Sequence, residues 1–264
     1  MKFNNAICCI IKDEKYLEEF IIYHHIIGVE HFFIYDNESK IPIKKRLNHE
    51  FFKKNCSILE IKGKSQQMNA YNHCIINTKN NVNWLIIIDG DEFIFLKKHQ
   101  NINLFLNSYK DYQALGLNWL MFGSSFHEEK QNGLQIDNYL YCEGKQDKHI
   151  KTICKPRYVR NMGNPHFVSI KENHLYVDTN QKVISGPFNE NNNSNIAVIY
   201  HYWGKSMEDM EEKIKRGRAP INEKRKMPTN YHGLYNKKFN NELKNKFSEK
   251  IKKKIKELNI KINS

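Results

Sequence analysis

The first third of the chain alternates short apolar runs with stretches whose apolar residues recur at helical spacing. Four runs of five or six residues are typical of strands and cover 6–11, 31–35, 57–61 and 84–88. Helices are predicted over 14–27, with Asp13 as N-cap and Gly28 as C-terminal stop, and over 66–76. Such alternation predicts an α/β fold whose parallel strands are joined by right-handed crossovers.

The later part of the chain is less regular. Strand-like runs cover 114–122, 149–156 and 196–200, a polar loop covers 189–195, and a charged helix is predicted over about 207–217. The chain shows no internal repeat. The regular first part, up to residue 96, is typical of a nucleotide-binding α/β half.

The tail carries a single apolar stripe on an otherwise lysine-rich helix. The stripe consists of Phe239, Leu243, Phe247, Ile251, Ile255, Leu258 and Ile262. Residues 236–264 contain 10 Lys and 3 Glu, a net charge of +7 out of +13 for the chain. Two interpretations are open: the stripe packs on the domain, or the helix lies in the plane of an anionic membrane surface.

Composition narrows the class of protein. The 264 residues are 40% hydrophobic and 12% aromatic, which is typical of a globular chain with one large domain or one domain and a small subdomain. The six cysteines include no Cys-x-x-Cys pair, so there is no zinc signature. We find no signal peptide and no run long enough for a membrane span, and therefore expect a cytoplasmic, reduced protein. Because the charge is concentrated in the tail, we expect no nucleic-acid partner.

Candidate chemistry centres on residues 84–93, where a continuous apolar strand ends in Asp89, Asp91 and Glu92. Acids that follow a buried strand lie at its carboxyl end, where open α/β sheets bind ligands. If Gly90 lets the backbone turn, both aspartates can reach one divalent cation, and their hard oxygen atoms suit Mg²⁺ or Mn²⁺. The alternative interpretation is an acidic turn without a function. The chain contains no Walker loop, no Gly-x-Gly-x-x-Gly fingerprint and no Gly-x-Ser-x-Gly elbow.

Short motifs follow one another in order between residues 6 and 218. They are Ile10-Ile11-Lys12-Asp13-Glu14, Ile34-Tyr35-Asp36-Asn37-Glu38-Ser39, Gln67-x-x-Ala70-Tyr71-Asn72, Trp84 to Phe93, Asn118-Trp119-x-x-Phe122-Gly123-Ser124-Ser125, His149-x-Lys151, Pro165-His166, and His201-Tyr202-x-x-Lys205-Ser206 with Lys213 and Arg216-Gly217 behind it. Together these motifs resemble those of family-2-like and family 92 glycosyltransferases of the GT-A fold. The chain departs from the first motif at Asp13, where these enzymes usually have Asn.

The resemblance implies a fold, an activity and a division of the chain. The fold is α/β, a Rossmann-like GT-A mixed sheet flanked by helices, and the activity is sugar transfer from a nucleotide-sugar donor, commonly with Mn²⁺. Residues 1–235 are expected to form the GT-A domain, with a nucleotide-binding half over 1–96 and an acceptor half over 97–235. Residues 236–264 are expected to form a basic amphipathic C-terminal helix.

The resemblance also assigns site residues. Asp91 is expected to bind the metal directly, Asp89 to bind it through water or to hold the ribose, His201 to be the third ligand and Glu92 to brace the motif. Contacts to the nucleotide sugar are expected from Lys12, Glu14, Asp36, Gln67, Asn72, Asp89, Lys151, His166 and Lys205. Simpler interpretations stay open for four of these residues: a turn-forming Asp36, a helix N-terminal Glu14, a hydrogen-bonded core His201 and a Lys205 that covers a surface.

An inverting transfer needs a group that takes the proton of the acceptor hydroxyl. The loop after residues 123–125 carries His127, Glu128 and Glu129. We select Glu128 as the catalytic base, with Asp178 and His166 as its competitors.

These observations predict a metal-dependent hexosyltransferase. It would move a hexose from a UDP-sugar to a hydroxyl of a glycan or glycolipid, with inversion, in surface polysaccharide or lipooligosaccharide synthesis. The tail adds the expectation of a peripheral position on the inner face of a membrane. The alternatives are a non-catalytic basic protein that binds membranes or nucleic acid, and a metal-dependent nucleotidyltransferase.

Overall fold

The computed structural model describes residues 2–191, 195–216, 226–260 and 262. Residues 192–194 of the predicted polar loop, Gly217 at the end of the predicted charged helix, and residues 261, 263 and 264 of the tail lie outside the described residues.

The described strands are labelled β1 to β13 in chain order. They are Phe3–Ile11, His31–Asp36, Cys56–Glu60, Val82–Ile87, Glu92–Leu96, Ala114–Met121, Tyr141–Cys142, Asp147–Cys154, Val159–Asn164, Phe167–Ile170, Tyr176–Val177, Ala197–His201 and Lys238–Phe239. The helices α1 to α8 are Leu17–Ile26, Ile43–Arg46, Glu50–Asn55, Gln67–Thr78, Ile102–Asn107, Gln135–Asn138, Met207–Arg216 and Glu242–Glu257.

The first half of the sheet is parallel, and its strands β2, β1 and β4 are largely buried on both faces. β3, β2, β1 and β4 lie side by side in that order and run parallel. Ile7 and Cys9 of β1 face a core shared with α1, whereas Ala6 and Cys8 face a core shared with α4. Because both faces of β1, β2 and β4 are covered, these strands carry continuous apolar runs, whereas the edge strand β3 is only partly buried.

The second half of the sheet is mixed. After β4 it continues with β8, β6, β12 and β5, and β11 pairs with the start of β6. β8 is antiparallel to β4 and β6, β12 is parallel to β6, and β5 is antiparallel to β12. The predicted α/β fold, a Rossmann-like mixed sheet flanked by helices, is therefore confirmed. β5 is missing from the predicted elements, because its apolar residues follow the acidic motif with only a short turn between the two strands.

The first predicted helix begins later than expected. α1 starts at Leu17, three residues after the predicted start, and Tyr16 rather than Asp13 precedes it. Asp13 has a φ of 52°, and its Oδ1 accepts a hydrogen bond from the backbone N–H of Lys40 at 2.7 Å. The chain therefore makes a turn at Asp13 before it enters the helix. The predicted stop is confirmed, since Gly28 has a φ of 101°, a conformation that favours glycine.

The apolar stripe of the tail packs on the domain. Leu243, Phe247 and Ile251 of α8 are buried in the core that includes α1, and the Phe247 ring lies 5.1 Å from the Tyr23 ring. The packing interpretation is thus confirmed for this part of the stripe. Phe239 differs: it belongs to β13, which pairs with β7, and is 51% exposed. The helix therefore begins at Glu242, later than the predicted boundary at residue 236.

Among the described residues, no helix combines the length and the apolar character that crossing a bilayer requires.

Candidate active site

The acidic motif lies where β4 ends and β5 begins, beside the end of β12. The backbone N–H of Tyr202 donates to the Asp91 carbonyl at 2.9 Å, and His201 pairs with Glu92 across the two strands. A Cβ atom at Gly90 would lie 2.5 Å from Ile11 Cδ1. Any larger residue at position 90 would therefore displace the end of the Ile11 side chain, a contact that the sequence does not show. As predicted, the motif lies at the carboxyl end of the parallel strands.

Asp91 and His201 form the core of a candidate metal site. Asp91 Oδ1 lies 3.6 Å from His201 Nε2, and Asp91 Oδ2 lies 3.0 Å from the Lys213 ammonium. Burial alone raises the pKa of Asp91, but Lys213 and His201 outweigh it and hold this pKa far below its usual range. Burial lowers the pKa of His201 to about 4, although Asp91 opposes the shift. His201 is thus neutral at pH 7, as a metal ligand must be.

Asp89, the second predicted ligand, is held by protein donors instead. Its Oδ1 accepts hydrogen bonds from Tyr71 at 2.8 Å and from Gln67 at 3.0 Å, and its Oδ2 accepts one from Lys151 at 2.7 Å. Lys151 is 1% exposed and also lies 3.5 Å from Glu92 Oε1. Burial lowers the pKa of Lys151, but the two carboxylates outweigh burial and raise it above its ordinary value.

Glu92 braces the motif as expected. It is fully buried, and its Oε2 accepts a hydrogen bond from the Asp89 backbone N–H at 3.0 Å. Burial raises its pKa well above the ordinary value, and Lys151 offsets only part of this shift. Among the described residues, neither its Oε1 nor His201 Nδ1 has a hydrogen-bond partner, and the two atoms lie 3.9 Å apart.

A divalent cation fits the Asp91–His201 pair. Two ligands that bind one ion at ~2.0–2.2 Å each stand roughly 3–4 Å apart, and the observed 3.6 Å lies in this range. In the described ranges, however, no three His, Cys, Asp or Glu side chains converge as ligands. The structure brings together two of the three predicted ligands, so substrate oxygen atoms would have to complete the shell. Asp89 as a ligand stays a prediction.

A charged cleft adjoins this pair. It has a volume of about 150 Å³, and its walls carry five cationic side chains, Lys15, Lys130, Lys205, Lys213 and Arg216, and four acidic ones, Asp13, Glu14, Asp209 and Glu212. Lys205 pairs with Glu14, and its ammonium lies 5.1 Å from the centre of the Tyr16 ring. Arg216 donates to the carbonyl groups of Lys12 at 2.6 Å and Asp13 at 3.0 Å. The predicted donor residues Glu14 and Lys205 thus meet at this cleft, whereas Lys12 is linked to it only through its carbonyl group.

Two residues predicted to contact the nucleotide sugar are hydrogen-bonded to backbone groups of the protein instead. Asp36 accepts hydrogen bonds from the backbone N–H groups of Ser39 at 3.0 Å and Ile43 at 2.8 Å, which supports its turn-forming interpretation. Asn72 donates to the Met162 carbonyl and accepts from the Met162 N–H, both at 2.8 Å. Asn72 therefore joins α4 to β9.

A row of aromatic rings leads from the surface to His201. The Trp119 ring lies 4.4 Å from the His201 ring and 5.2 Å from the His149 ring, and His149 lies 4.8 Å from Phe188, which is 46% exposed. His166 packs edge-on against Trp119 at 4.9 Å, and burial lowers its pKa to about 4. Ring faces of this kind can pack against the C–H groups of a sugar. The row is a candidate acceptor surface.

The predicted base, Glu128, lies on an exposed loop in a hydrogen-bonded chain. His232 Nε2 lies 2.9 Å from Glu128 Oε1, and His232 Nδ1 lies 2.6 Å from Ser124 Oγ. Ser124 Oγ accepts hydrogen bonds from the Phe126 N–H and the Asn236 amide, so its own O–H donates to His232 Nδ1. His232 then carries its proton on Nε2 and donates it to Glu128 in a hydrogen bond.

Asp178, a competitor of Glu128, and His127, on the same loop as Glu128, make other contacts. Asp178 is fully buried and accepts hydrogen bonds from the backbone N–H groups of Asn180 and Lys182. His127 Nε2 lies 3.0 Å from the Asn138 carbonyl.

The comparison with protein families agrees with this geometry. The family model "Glycosyltransferase family 92" matches residues 6–259. The chain belongs to glycosyltransferase family 92. The predicted resemblance is thereby confirmed.

Curated family 92 relatives are longer than this chain. A family 92 protein of Ricinus communis is 26% identical over 221 residues, which are 80% of this chain and 37% of the relative. A family 92 protein of Oryza sativa subsp. japonica is 29% identical over 113 residues, 42% of this chain and 19% of the relative. A third, of Arabidopsis thaliana, is 25% identical over 189 residues, 65% of this chain and 32% of the relative. The matched segments thus span between 19% and 37% of these relatives.

Two solved structures resemble the chain at low scores. HddC from Yersinia pseudotuberculosis has a TM-score of 0.40 and 10% identity, and the match covers 66% of this chain and 88% of that one. S. aureus TarS 1-349, in complex with UDP, has a TM-score of 0.33 and 15% identity, and the match covers 50% of this chain and 37% of that one. These scores are too low to support an argument about function.

Several residues of this family 92 site are absent from the predicted set. Tyr71 follows Gln67 by four positions on α4, so helical spacing alone places both side chains on the face that meets Asp89. Lys213 and Trp119 stand in the matching motifs without an assigned role. His232 carries no signal in the sequence, because only tertiary packing places it beside Glu128.

Replacement of Lys151 by Met should strongly destabilise this family 92 chain. The variant leaves Asp89 and the fully buried Glu92 without their cation, and breaking a buried ion pair on one side costs about 3–5 kcal/mol. Urea unfolding at pH 7 measures the loss. The matched control is Lys148→Met on the same strand, where the side chain is exposed and a change within about 0.5 kcal/mol is expected. Equal losses in both variants would contradict the proposed role of Lys151.

Proposed function

We propose that this chain is a glycosyltransferase that moves a hexose from a UDP-sugar to a hydroxyl of a glycan or glycolipid, with a divalent cation and with inversion. The observation that carries the proposal is the buried Asp91–His201 pair beside a cleft with five cationic side chains. Family 92 membership supports sugar transfer, and three cations of the cleft, Lys205, Lys213 and Arg216, could contact a diphosphate there.

The donor diphosphate is proposed to lie along the cleft, where Lys205, Lys213 and Arg216 can contact its oxygen atoms. Asp91 and His201 would hold the cation, and a nitrogen ligand favours Mn²⁺ over Mg²⁺. When bound, the cation supplies positive charge to the departing nucleoside diphosphate. Asp89, held by Tyr71, Gln67 and Lys151, would present a rigid carboxylate to the ribose or to a metal-bound water.

The acceptor is proposed to approach from the opposite side of the motif. Sugar rings of the acceptor would pack on Phe188, His149 and Trp119, the row of rings that ends at His201. Glu128 would take the proton of the attacking hydroxyl, and His232 would orient its carboxylate. A pathway of surface polysaccharide or lipooligosaccharide synthesis would use such a transfer.

Binding of UDP and Mn²⁺ tests the donor half of the proposal. We expect UDP with Mn²⁺ to raise the unfolding midpoint, since a ligand at a hundredfold excess over its dissociation constant stabilises by about 2.7 kcal/mol. Asp91→Asn should lose this shift and all turnover while it keeps its fold by circular dichroism. Asp111→Asn, the same change at an exposed position, is the control. The absence of a shift with every nucleoside diphosphate would argue against the proposal, and pyrophosphate as product would indicate nucleotidyl transfer instead.

Replacement of Glu128 by Gln tests the base. Once a screen of nucleotide sugars has identified the donor, the variant should lose about 100-fold or more in the rate of UDP release, because it cannot take a proton. Its affinity for UDP with Mn²⁺ should equal that of the wild-type protein. Glu129→Gln, the adjacent exposed carboxylate, serves as the matched control. A near-normal rate in Glu128→Gln would remove Glu128 as the base.

We also propose that the enzyme works at the inner face of an anionic membrane, to which the exposed lysines of α8 bring it. The middle of the apolar stripe, Leu243, Phe247 and Ile251, is buried, so attraction would rest on charge, at about 1 kcal/mol per lysine. Replacement of Lys250, Lys253 and Lys256 by Glu should therefore abolish co-sedimentation with phosphatidylserine vesicles. The same change at three other exposed lysines, Lys145, Lys171 and Lys182, is the control. Equal binding of both variants would rule out a specific membrane face on α8.

A further inference from the structure

Each aspartate of the motif pairs with a lysine, and the two lysines differ in exposure. Lys151 lies in the middle of β8, is 1% exposed and contacts both Asp89 and Glu92. Lys213 lies on α7 at the wall of the cleft, and its side chain is 18% exposed. The Lys151 ammonium is thus enclosed by the sheet, whereas the Lys213 ammonium borders the space assigned to the donor.

The Lys213 ammonium competes with a cation for Asp91. Asp91 offers one oxygen towards His201 and the other to Lys213, at 3.6 and 3.0 Å. A dication shared by Asp91 and His201 would lie within a few ångströms of this ammonium. Like charges so close in a buried site repel strongly, so the cation is disfavoured while Lys213 keeps its place.

Lys213 has a second set of neighbours on the cleft side. Its ammonium donates to the Trp203 carbonyl at 3.2 Å and lies 5.7 Å from the centre of the Trp203 ring. Lys205 and Arg216 line the same cleft. A diphosphate there would attract the Lys213 ammonium away from Asp91, and its negative charge would at the same time offset the repulsion between ammonium and dication.

We propose that Lys213 is a positioning residue that makes cation binding depend on the donor. Without donor it pairs with Asp91 and keeps the affinity for divalent cations low. With donor it turns to the diphosphate, and Asp91 becomes free to bind the cation with His201. The inference rests on the proposed function, since it requires a nucleoside diphosphate in the cleft. By linkage, the donor and the cation then raise each other's affinity by the same factor.

The test is a titration with Mn²⁺ at fixed pH, with and without UDP, followed by the electron paramagnetic resonance of free Mn²⁺. In the wild-type protein, UDP should raise the Mn²⁺ affinity about tenfold or more. Lys213→Met should raise the affinity for Mn²⁺ without UDP by about tenfold, and the further gain from UDP should shrink. A merely structural role of Lys213 would not increase metal affinity.

Three variants make the outcome specific. Lys213→Gln repeats the neutral change if the Met variant folds poorly. Lys213→Arg keeps the charge and should keep the low Mn²⁺ affinity without UDP. Lys215→Met removes an equal charge from an exposed position on the same helix and should bind Mn²⁺ and UDP as the wild-type protein does.

Two results would overturn the inference. The first is an unchanged Mn²⁺ affinity without UDP in both neutral Lys213 variants, while UDP and Mn²⁺ still bind together. In that case the coupling fails and the proposed function stands. The second is a failure of the wild-type protein to bind UDP with Mn²⁺ at all, which would overturn the proposed function together with the inference.

Discussion

A buried ammonium neutralises the acidic turn on which the site is built. Lys151 lies in the sheet between Asp89 at 2.7 Å and Glu92 at 3.5 Å. An unpaired charge in such a place would cost several kcal/mol, whereas a paired and hydrogen-bonded group is tolerated. The pairing joins β8 to the turn between β4 and β5, which links the parallel half of the sheet to the mixed half. It thereby holds Asp91 at the end of β12, opposite His201.

The cations of the site fall into two groups with different consequences. Lys151 is enclosed and contributes to the fold, and with Tyr71 and Gln67 it fixes the orientation of Asp89. Lys205 and Lys213 line an open cleft, where Lys205 pairs with Glu14 and Lys213 pairs with Asp91. A substrate with negative charge can compete for the cleft cations but not for Lys151. The same ion-pair chemistry therefore supports the structure in one place and ligand binding in the other.

Local patterns predicted most of the sheet and the order of the site motifs. Strands buried on both faces leave continuous apolar runs, so β1, β2 and β4 are placed to within three residues. The start of α1 was misplaced because Asp13, a good N-cap by type, adopts a positive φ and bonds to Lys40 instead. β5 escaped prediction since only a short turn separates it from β4. The close contact at Gly90 depends on Ile11, far away in the chain.

By itself, the sequence determined the α/β class, the acidic turn after a buried strand and membership of family 92, because these are written in local spacing and in the order of motifs. Only the tertiary structure decided which charges meet. Lys151 lies 62 positions from Asp89 and Lys213 lies 122 positions from Asp91, distances over which periodicity carries no information. It also decided the partner of the tail, since an apolar stripe has the same spacing whether it packs on protein or on lipid, and here it packs against α1.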